Sequence, residues 1–328
     1  MEPCWRAGHD YEFCKLRTRE DFILTGRNPN TGGKNVFGKQ YTEFAVSGSE
    51  YADDTAIPFC NRADAEKYTP LLIEHFRRWG LEVHAGSYHP FKGSKTELLF
   101  CSRPLSTYQD PNTCDNTDMT DLILPNGRFV PVVTKFKYLG SYISSDGSDT
   151  IDVQSRIDSA ARAFGSLSKC IFRSQNIDRK AKSAIYESLI LSICLYGCES
   201  WCLTEKLYSK LRQFHARCVR TMSHITLAQS RMYQIPTREI ETELGLDSMD
   251  KYIARRQLRW LGHVSRMPFD RLPRRLLSSW LPHKRPRGAP EMTFGKTMIK
   301  ALKTFDIDPK HWPAMAANRN NWRHRINK

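Results

Sequence analysis

Two adjacent carboxylates, Asp53 and Asp54, close the string Tyr51-Ala52-Asp53-Asp54 and are the residues of this chain best suited to do chemistry. Like charges held side by side repel, so each makes the other's ionisation harder. A bound cation relieves that repulsion. Carboxylate oxygens are hard ligands, and Mg²⁺ takes such donors while keeping waters or phosphate oxygens in its remaining positions. A pair of such ions activates a hydroxyl and stabilises a leaving pyrophosphate. The competing reading of the string is an ordinary surface turn. A second constellation is softer: Cys194, Cys198 and Cys202 fall at i, i+4 and i+8, with His215 and Cys218 further on. The close CxxC pairs typical of structural zinc are missing there. Zinc therefore competes with the plainer reading that these cysteines fill a buried helical face as small hydrophobes.

The elements around the carboxylates follow from periodicity. Phe44 and Val46 alternate with polar neighbours before Tyr51, and a short apolar run covers residues 55–60, so Asp53 and Asp54 are expected at the turn of a hairpin. Pro58 cannot donate to a ladder, which makes the second strand an edge or interrupts it. Residues 61–79 carry Leu71, Leu72, Phe76 and Trp79 on a helical stripe that stops at Gly80. Pro70 leaves two forms open: a shorter helix capped by Thr69, or one longer helix that bends at the proline. Short strands are expected at residues 81–83 and 97–101, and a strand pair over 121–144 splits at Pro125-Asn126-Gly127.

Beyond Gly147 the period becomes helical. One stripe holds Val153, Ile157, Ala160, Ala161, Phe164 and Leu167, a second holds Ile185, Leu189, Ile193 and Tyr196, and a third runs from the candidate cap Thr204 through Leu207, Leu211, Phe214 and Cys218. A basic helix starts near Ser248 and passes Trp260. Residues 268–290 are proline-rich and read as a linker or extended arm, and a last helical segment is expected at 294–305. The fold class is therefore α+β. Residues 1–40, broken by Gly26, Pro29, Gly32, Gly33 and Gly38, read as a loop or insert; 41–147 as an α+β unit; 148–235 as a helical bundle; and 236–328 as a basic helical region.

Charge is unevenly placed. Residues 251–328 hold 19 Lys/Arg against 4 Asp/Glu, so this last quarter accounts for the whole formal net charge of +15. A localised basic surface suits phosphate backbones, whose neutralisation releases condensed counterions. Arg255, Arg256, Arg259, Arg274 and Arg275 are the candidate phosphate contacts. With 40% hydrophobic and 26% charged residues the composition is that of a folded chain and excludes wholesale disorder. No apolar run reaches the roughly 18–20 residues that cross a bilayer, and no basic-then-apolar leader opens the chain. We expect no membrane association and no secretion, so the 10 cysteines are expected as thiols.

The carboxylate string keeps company that resembles the reverse transcriptases of non-LTR (LINE-type) retrotransposons. After Tyr51-Ala52-Asp53-Asp54-Thr55-Ala56 come Trp79-Gly80-Leu81-Glu82-Val83, then Lys95-Thr96-Glu97, then Phe136-Lys137-Tyr138-Leu139-Gly140-Ser141-Tyr142-Ile143. These are similar, in order, to that family's palm motifs and primer-grip hairpin. Leu195-Tyr196-Gly197-Cys198-Glu199-Ser200-Trp201, Arg259-Trp260-Leu261-Gly262-His263-Val264-Ser265-Arg266-Met267 and residues 312–323 are similar to strings in its thumb and connector. The resemblance covers about residues 41–325. It implies a partial palm over 41–147, a thumb-like bundle over 148–235, and an activity that extends a DNA primer on an RNA template with dNTP and Mg²⁺. It places Asp53 and Asp54 on the metal, Lys95 near the leaving pyrophosphate, and Phe136, Lys137, Tyr138, Leu139 and Gly140 along the primer end, where alignment governs rate. The late strings are expected to be structural, with His263 packed beside Trp260. An active relative would work in the nucleus; for this chain the expectation is nucleus or cytoplasm.

The departures bear on activity. The family's third carboxylate lies on an earlier palm strand, and its template- and nucleotide-binding fingers also precede the hairpin. Only 50 residues precede Tyr51, and neither Asp10 nor Asp21 sits in an apolar strand. The chain is expected to be a truncated reading frame that polymerises poorly or not at all by itself. The alternative is a non-catalytic nucleic-acid-binding module built on the helices after Gly147 and the basic last quarter. A third reading is a zinc-stabilised helical interaction protein resting on Cys194, Cys198, Cys202 and Cys218.

Overall fold

The computed structural model describes residues 14–18, 42–46, 48–59, 61–101, 120–280 and 293–327. The chain is α+β and forms a strand-rich unit, which runs to Ser148 and takes in Ser279–Trp280, and a helical unit of Asp149–Ser278 with the residues from Thr293 on.

In the strand-rich unit, Cys14–Thr18 lies between Thr42–Val46 and Ser279–Trp280 in a three-stranded antiparallel sheet, with Cys14 opposite Val46. This corrects the expectation of a loop at that point of residues 1–40. Leu16 and Thr18 alternate with Lys15 and Arg17, a period-two signal that is weak in isolation and becomes a strand only through partners distant in sequence. The rest of that segment lies outside the described residues. Ser49–Tyr51 and Asp54–Ala56 form a hairpin turning at Ala52-Asp53, as expected, but a shorter one: Phe44 and Val46 belong to the separate strand Thr42–Val46, and residues 57–59 are not strand. The helix Arg62–Arg78 is the longer of the two forms and carries Pro70 inside it. Asn61 caps it by accepting from the Asp64 N–H at 2.8 Å, and His75, Arg77 and Arg78 face the negative end of its dipole. Its inward residues are Ala65 and Tyr68, whereas Leu71 and Trp79 of the expected stripe are exposed.

Residues 81–83 form no strand. The chain there runs to a short hairpin of Ser87–Tyr88 with Phe91–Lys92, and Leu98–Leu99 pairs in parallel with Val132–Val133. Leu122–Ile123 and Phe129–Val130 pair around Pro125-Asn126-Gly127, as the turn residues require. A small core of Leu122, Leu124 and Val130 closes against Ile73, Ala85 and Leu98.

The helical unit has two cores. The first joins Thr150–Leu167, the run from Arg179 to Cys194, Glu205–Met222 and Thr237–Leu244 around Phe172, Tyr186, Trp201, Leu211 and Ile253. The second gathers Leu258, Leu261, Met298, Leu302, Trp312 and Trp322. Met249–Ser265 serves both, offering Met249, Tyr252 and Ile253 to one and Ala254, Leu258, Leu261 and Val264 to the other. It starts at Met249, as expected, and Ser248 caps it, whereas Thr204 precedes Glu205–Met222 without a side-chain cap bond. The segment 268–290 is not wholly an extended arm: Leu272–Leu277 is helical and Ser279–Trp280 is a strand, with 281–292 outside the described residues.

The second stripe is shifted by one residue. Tyr186, Ile190 and Cys194 are buried where Ile185, Leu189 and Ile193 were expected, and Leu189 and Tyr196 are exposed. Tyr186–Ile190 is a π turn. A wider turn keeps residues spaced by four on one face, whereas in a regular α-helix they drift. The core also holds a polar trio: Tyr186 Oη lies 2.8 Å from His215 Nδ1, and His215 Nε2 lies 3.2 Å from Glu241 Oε1. Burial pushes the Tyr186 phenol well above its ordinary value, so it stays a neutral donor.

Candidate functional site

Ala52 and Asp53 form the two-residue turn of the carboxylate hairpin, and Asp54 opens the second strand opposite Tyr51. Ala52 holds φ = 53°, a left-handed conformation that costs a non-glycine residue about 1 kcal/mol. Both carboxylates and the Tyr51 ring are exposed. Their oxygens suit Mg²⁺ in kind. They do not suffice in number for a two-ion site: among the described residues, no group of three or more His, Cys, Asp or Glu side chains comes together as a metal site.

The hairpin that carries the expected primer-contacting residues is tied to the carboxylate hairpin. Phe136, Lys137 and Tyr138 lie on Lys135–Tyr138, paired with Ser141–Ser144, and Leu139 and Gly140 make the turn with positive φ. Tyr138 Oη donates to the Ser49 carbonyl at 3.3 Å, on the strand that leads to Tyr51. Phe136 and Tyr138 share one face, with ring centroids 6.4 Å apart. A single side chain therefore joins two hairpins whose bonded residues lie 89 positions apart in sequence. Lys95 lies on an exposed loop, where its backbone N–H donates to His84 Nδ1 at 3.2 Å.

The five arginines have different surroundings. Arg255 is committed internally, donating to Asp247 at 2.6 Å and to the Ile326 carbonyl at 3.0 Å. Arg274 is buried, bonded to Ser278 and set over the Phe269 ring at 5.9 Å. A buried guanidinium cannot also hold a phosphate in solvent. Arg275 is half-buried on the same short helix. Arg256 and Arg259, by contrast, line a cleft of about 710 Å³ together with Gly197, Glu199, Ser200, Trp260 and His263.

The cleft explains the two late strings. Within residues 195–201, Leu195, Cys198 and Trp201 are buried, while Gly197, Glu199 and Ser200 form cleft wall. Within 259–264, Leu261, Gly262 and Val264 face the second core, while Arg259, Trp260 and His263 form the opposite wall. Buried Gln257 fastens the walls together by donating to the carbonyls of Cys198 at 3.1 Å and Trp201 at 3.2 Å. His263 does stand beside Trp260, with ring centroids 5.7 Å apart, but it is exposed to the cleft rather than packed.

With this geometry in place, one similarity stands out. The chain resembles a putative uncharacterized transposon-derived protein of Caenorhabditis elegans. The two are 24% identical over 284 residues, which span 84% of this chain and 94% of the relative. No family model matches the chain, and no solved structure does. Among the described residues, no helix is long and apolar enough to cross a membrane.

The cysteines act as core. Cys194, Cys198 and Cys218 are buried among aliphatic and aromatic side chains of the first cluster. Burial pushes the Cys194 and Cys218 thiols to about 12 and that of Cys202 to about 11. A thiol with so high a pKa is a poor nucleophile. Iodoacetamide at mildly alkaline pH is therefore expected to label the peptide holding exposed Cys170 in the native protein and to spare Cys194, Cys198 and Cys218 until denaturant is added. Mass spectrometry reads this directly, and native labelling of Cys194 at the rate of Cys170 contradicts the assignment.

Proposed function

We propose that this chain derives from the reverse transcriptase of a mobile element and keeps the end of its palm and its helical thumb and connector. The observation that carries the reading is the Tyr138-to-Ser49 bond, which sets the string Phe136 to Gly140 against the hairpin bearing Asp53 and Asp54. That bond lies at the open end of the hairpin, where Ser49 pairs with Ala56, so a primer end held by Phe136 and Tyr138 would lie along the strand that leads to the carboxylate turn. The transposon-derived relative, similar over most of both chains, supports the same origin. The partners are then an RNA template, a DNA primer and a dNTP.

Mg²⁺ on Asp53 and Asp54 would supply charge neutralisation for phosphoryl transfer. This chain's own part is to present the two carboxylates on a turn, to align the primer with the Phe136–Tyr138 face, and, by the resemblance, to offer Lys95 as a cation for the leaving pyrophosphate. Two adjacent carboxylates make one wall of a two-ion site. The 328-residue chain alone is accordingly expected to extend no primer with Mg²⁺, and Asp53→Ala to change nothing. Extension by the original chain that disappears in Asp53→Ala would refute this.

A second reading, a non-catalytic nucleic-acid-binding module, is favoured by one observation. Arg256 and Arg259 face an open cleft with no ion pair among the described residues.

A further inference from the structure

The cleft on the outer face of Met249–Ser265 combines three features that neither core requires. The first is uncompensated positive charge. Arg256 reaches only the Leu195 carbonyl and Arg259 only Asn327 Oδ1, both at a long 3.4 Å. No carboxylate pairs with either, or with Arg323, among the described residues. Burial, and then the charges of Arg255, Arg323 and Arg256, lower the pKa of Arg259. Planar guanidiniums bind phosphate with two parallel N–H donors.

The second feature is an exposed aromatic wall. Trp260 is 40% exposed on a helix whose aliphatic residues are buried, and His263 stands next to it. A partly exposed indole beside arginines in the same cleft is a candidate stacking partner for a base. The third is Glu199 across the cleft. A carboxylate there disfavours a bare run of phosphates, but it accepts hydrogen bonds from an amino group on a base edge, such as N4 of cytosine. The site is built rather than incidental, because Gln257 locks the 197–201 turn to the helix and the volume of about 710 Å³ lies in the range of ligand sites.

We propose that this cleft is a one-nucleotide subsite for single-stranded nucleic acid, with a phosphate on Arg256 and Arg259, a base stacked on Trp260, and its amino edge facing Glu199. The proposal rests on the second reading above, nucleic-acid binding by the helical unit, and specifies its site and ligand. Cytosine and thymine differ at the edge that Glu199 would read. The 4-amino group of cytosine donates to the carboxylate, and the 4-oxo group of thymine meets it acceptor to acceptor.

The test is fluorescence anisotropy of labelled short oligo-dC and oligo-dT with the full chain at two salt concentrations. Oligo-dC is expected to bind more tightly than oligo-dT. Trp260→Ala is expected to weaken oligo-dC binding by about tenfold, and Arg256→Gln with Arg259→Gln to weaken it and reduce the salt slope by about two charges. Glu199→Gln is expected to narrow the dC preference while binding persists. Circular dichroism confirms that each variant is folded. Oligonucleotide binding that all these variants leave unchanged overturns the subsite and leaves the basic-region reading standing. No binding by the original chain, even at low salt, overturns both.

Discussion

Trp201→Ala is expected to destabilise the helical unit by about 4 kcal/mol, the largest effect of any single substitution considered. Trp201 is 1% exposed and sits in the first core, and its Nε1–H donates to the Asp152 carboxylate at 2.8 Å. Removing it leaves a cavity of indole size and takes a donor from a buried acid. In a unit of this length each 1 kcal/mol moves Tm by roughly 2–4 °C, so a fall of about 10 °C follows. Trp201→Phe keeps a six-membered ring but loses the N–H and the rest of the five-membered ring, and is expected to cost about half as much. Thermal and urea unfolding of the two variants separate the packing and hydrogen-bond contributions. Equal stability of Trp201→Ala and the original chain would show that this core is not packed as described. The substitution also reaches the cleft, since Glu199 and Ser200 lie on the turn that Trp201 anchors.

Gly262→Ala is expected to cost about 3 kcal/mol through the opposite fault, overpacking. A Cβ at Gly262 would stand 2.2 Å from Nε1 and 2.5 Å from Cδ1 of Trp322. The indole has little freedom to retreat: Trp322 is 2% exposed, packs near Trp312 with centroids 6.2 Å apart, and donates to the Leu258 carbonyl at 2.9 Å. Either the tryptophan leaves its hydrogen bond or the C-terminal helix Arg319–Ile326 shifts off Met249–Ser265. A double-mutant cycle with Trp322→Leu checks the cause. If the clash is responsible, the pair is expected to be clearly less destabilising than the sum of the singles. Additive losses would place the effect in the backbone of the helix instead.

Helix boundaries were legible because they rest on local chemistry. Helices start near Asn61, Thr204 and Ser248 as the pattern places them, and Gly80 follows the end of its helix with positive φ, although Asn61 and Ser248 accept from the first turn while Thr204 does not. The choice of inward face was less legible. In the run from Arg179 to Cys194 two adjacent columns are apolar, Ile185–Leu189–Ile193 and Tyr186–Ile190–Cys194, and a π turn selects between them. Local periodicity does not report that turn.

By itself the sequence determined the α+β class, the turn that presents Asp53 and Asp54, the concentration of positive charge in the last quarter, and a likeness to a transposon-derived protein. Each depends on residue types or on neighbours a few positions apart. Only the tertiary structure decided which arginines are open to a ligand, because Arg274 is withdrawn by packing and Arg255 by Asp247, while Arg256 and Arg259 stay at a surface. Only it made a strand of Cys14–Thr18, whose ladder partners lie at 42–46 and 279–280. Only it formed the cleft, since residues 197–200 and 256–263 meet through Gln257 across a long separation in sequence. Burial and pairing are properties of what comes to lie alongside a residue, and that is fixed when distant segments pack.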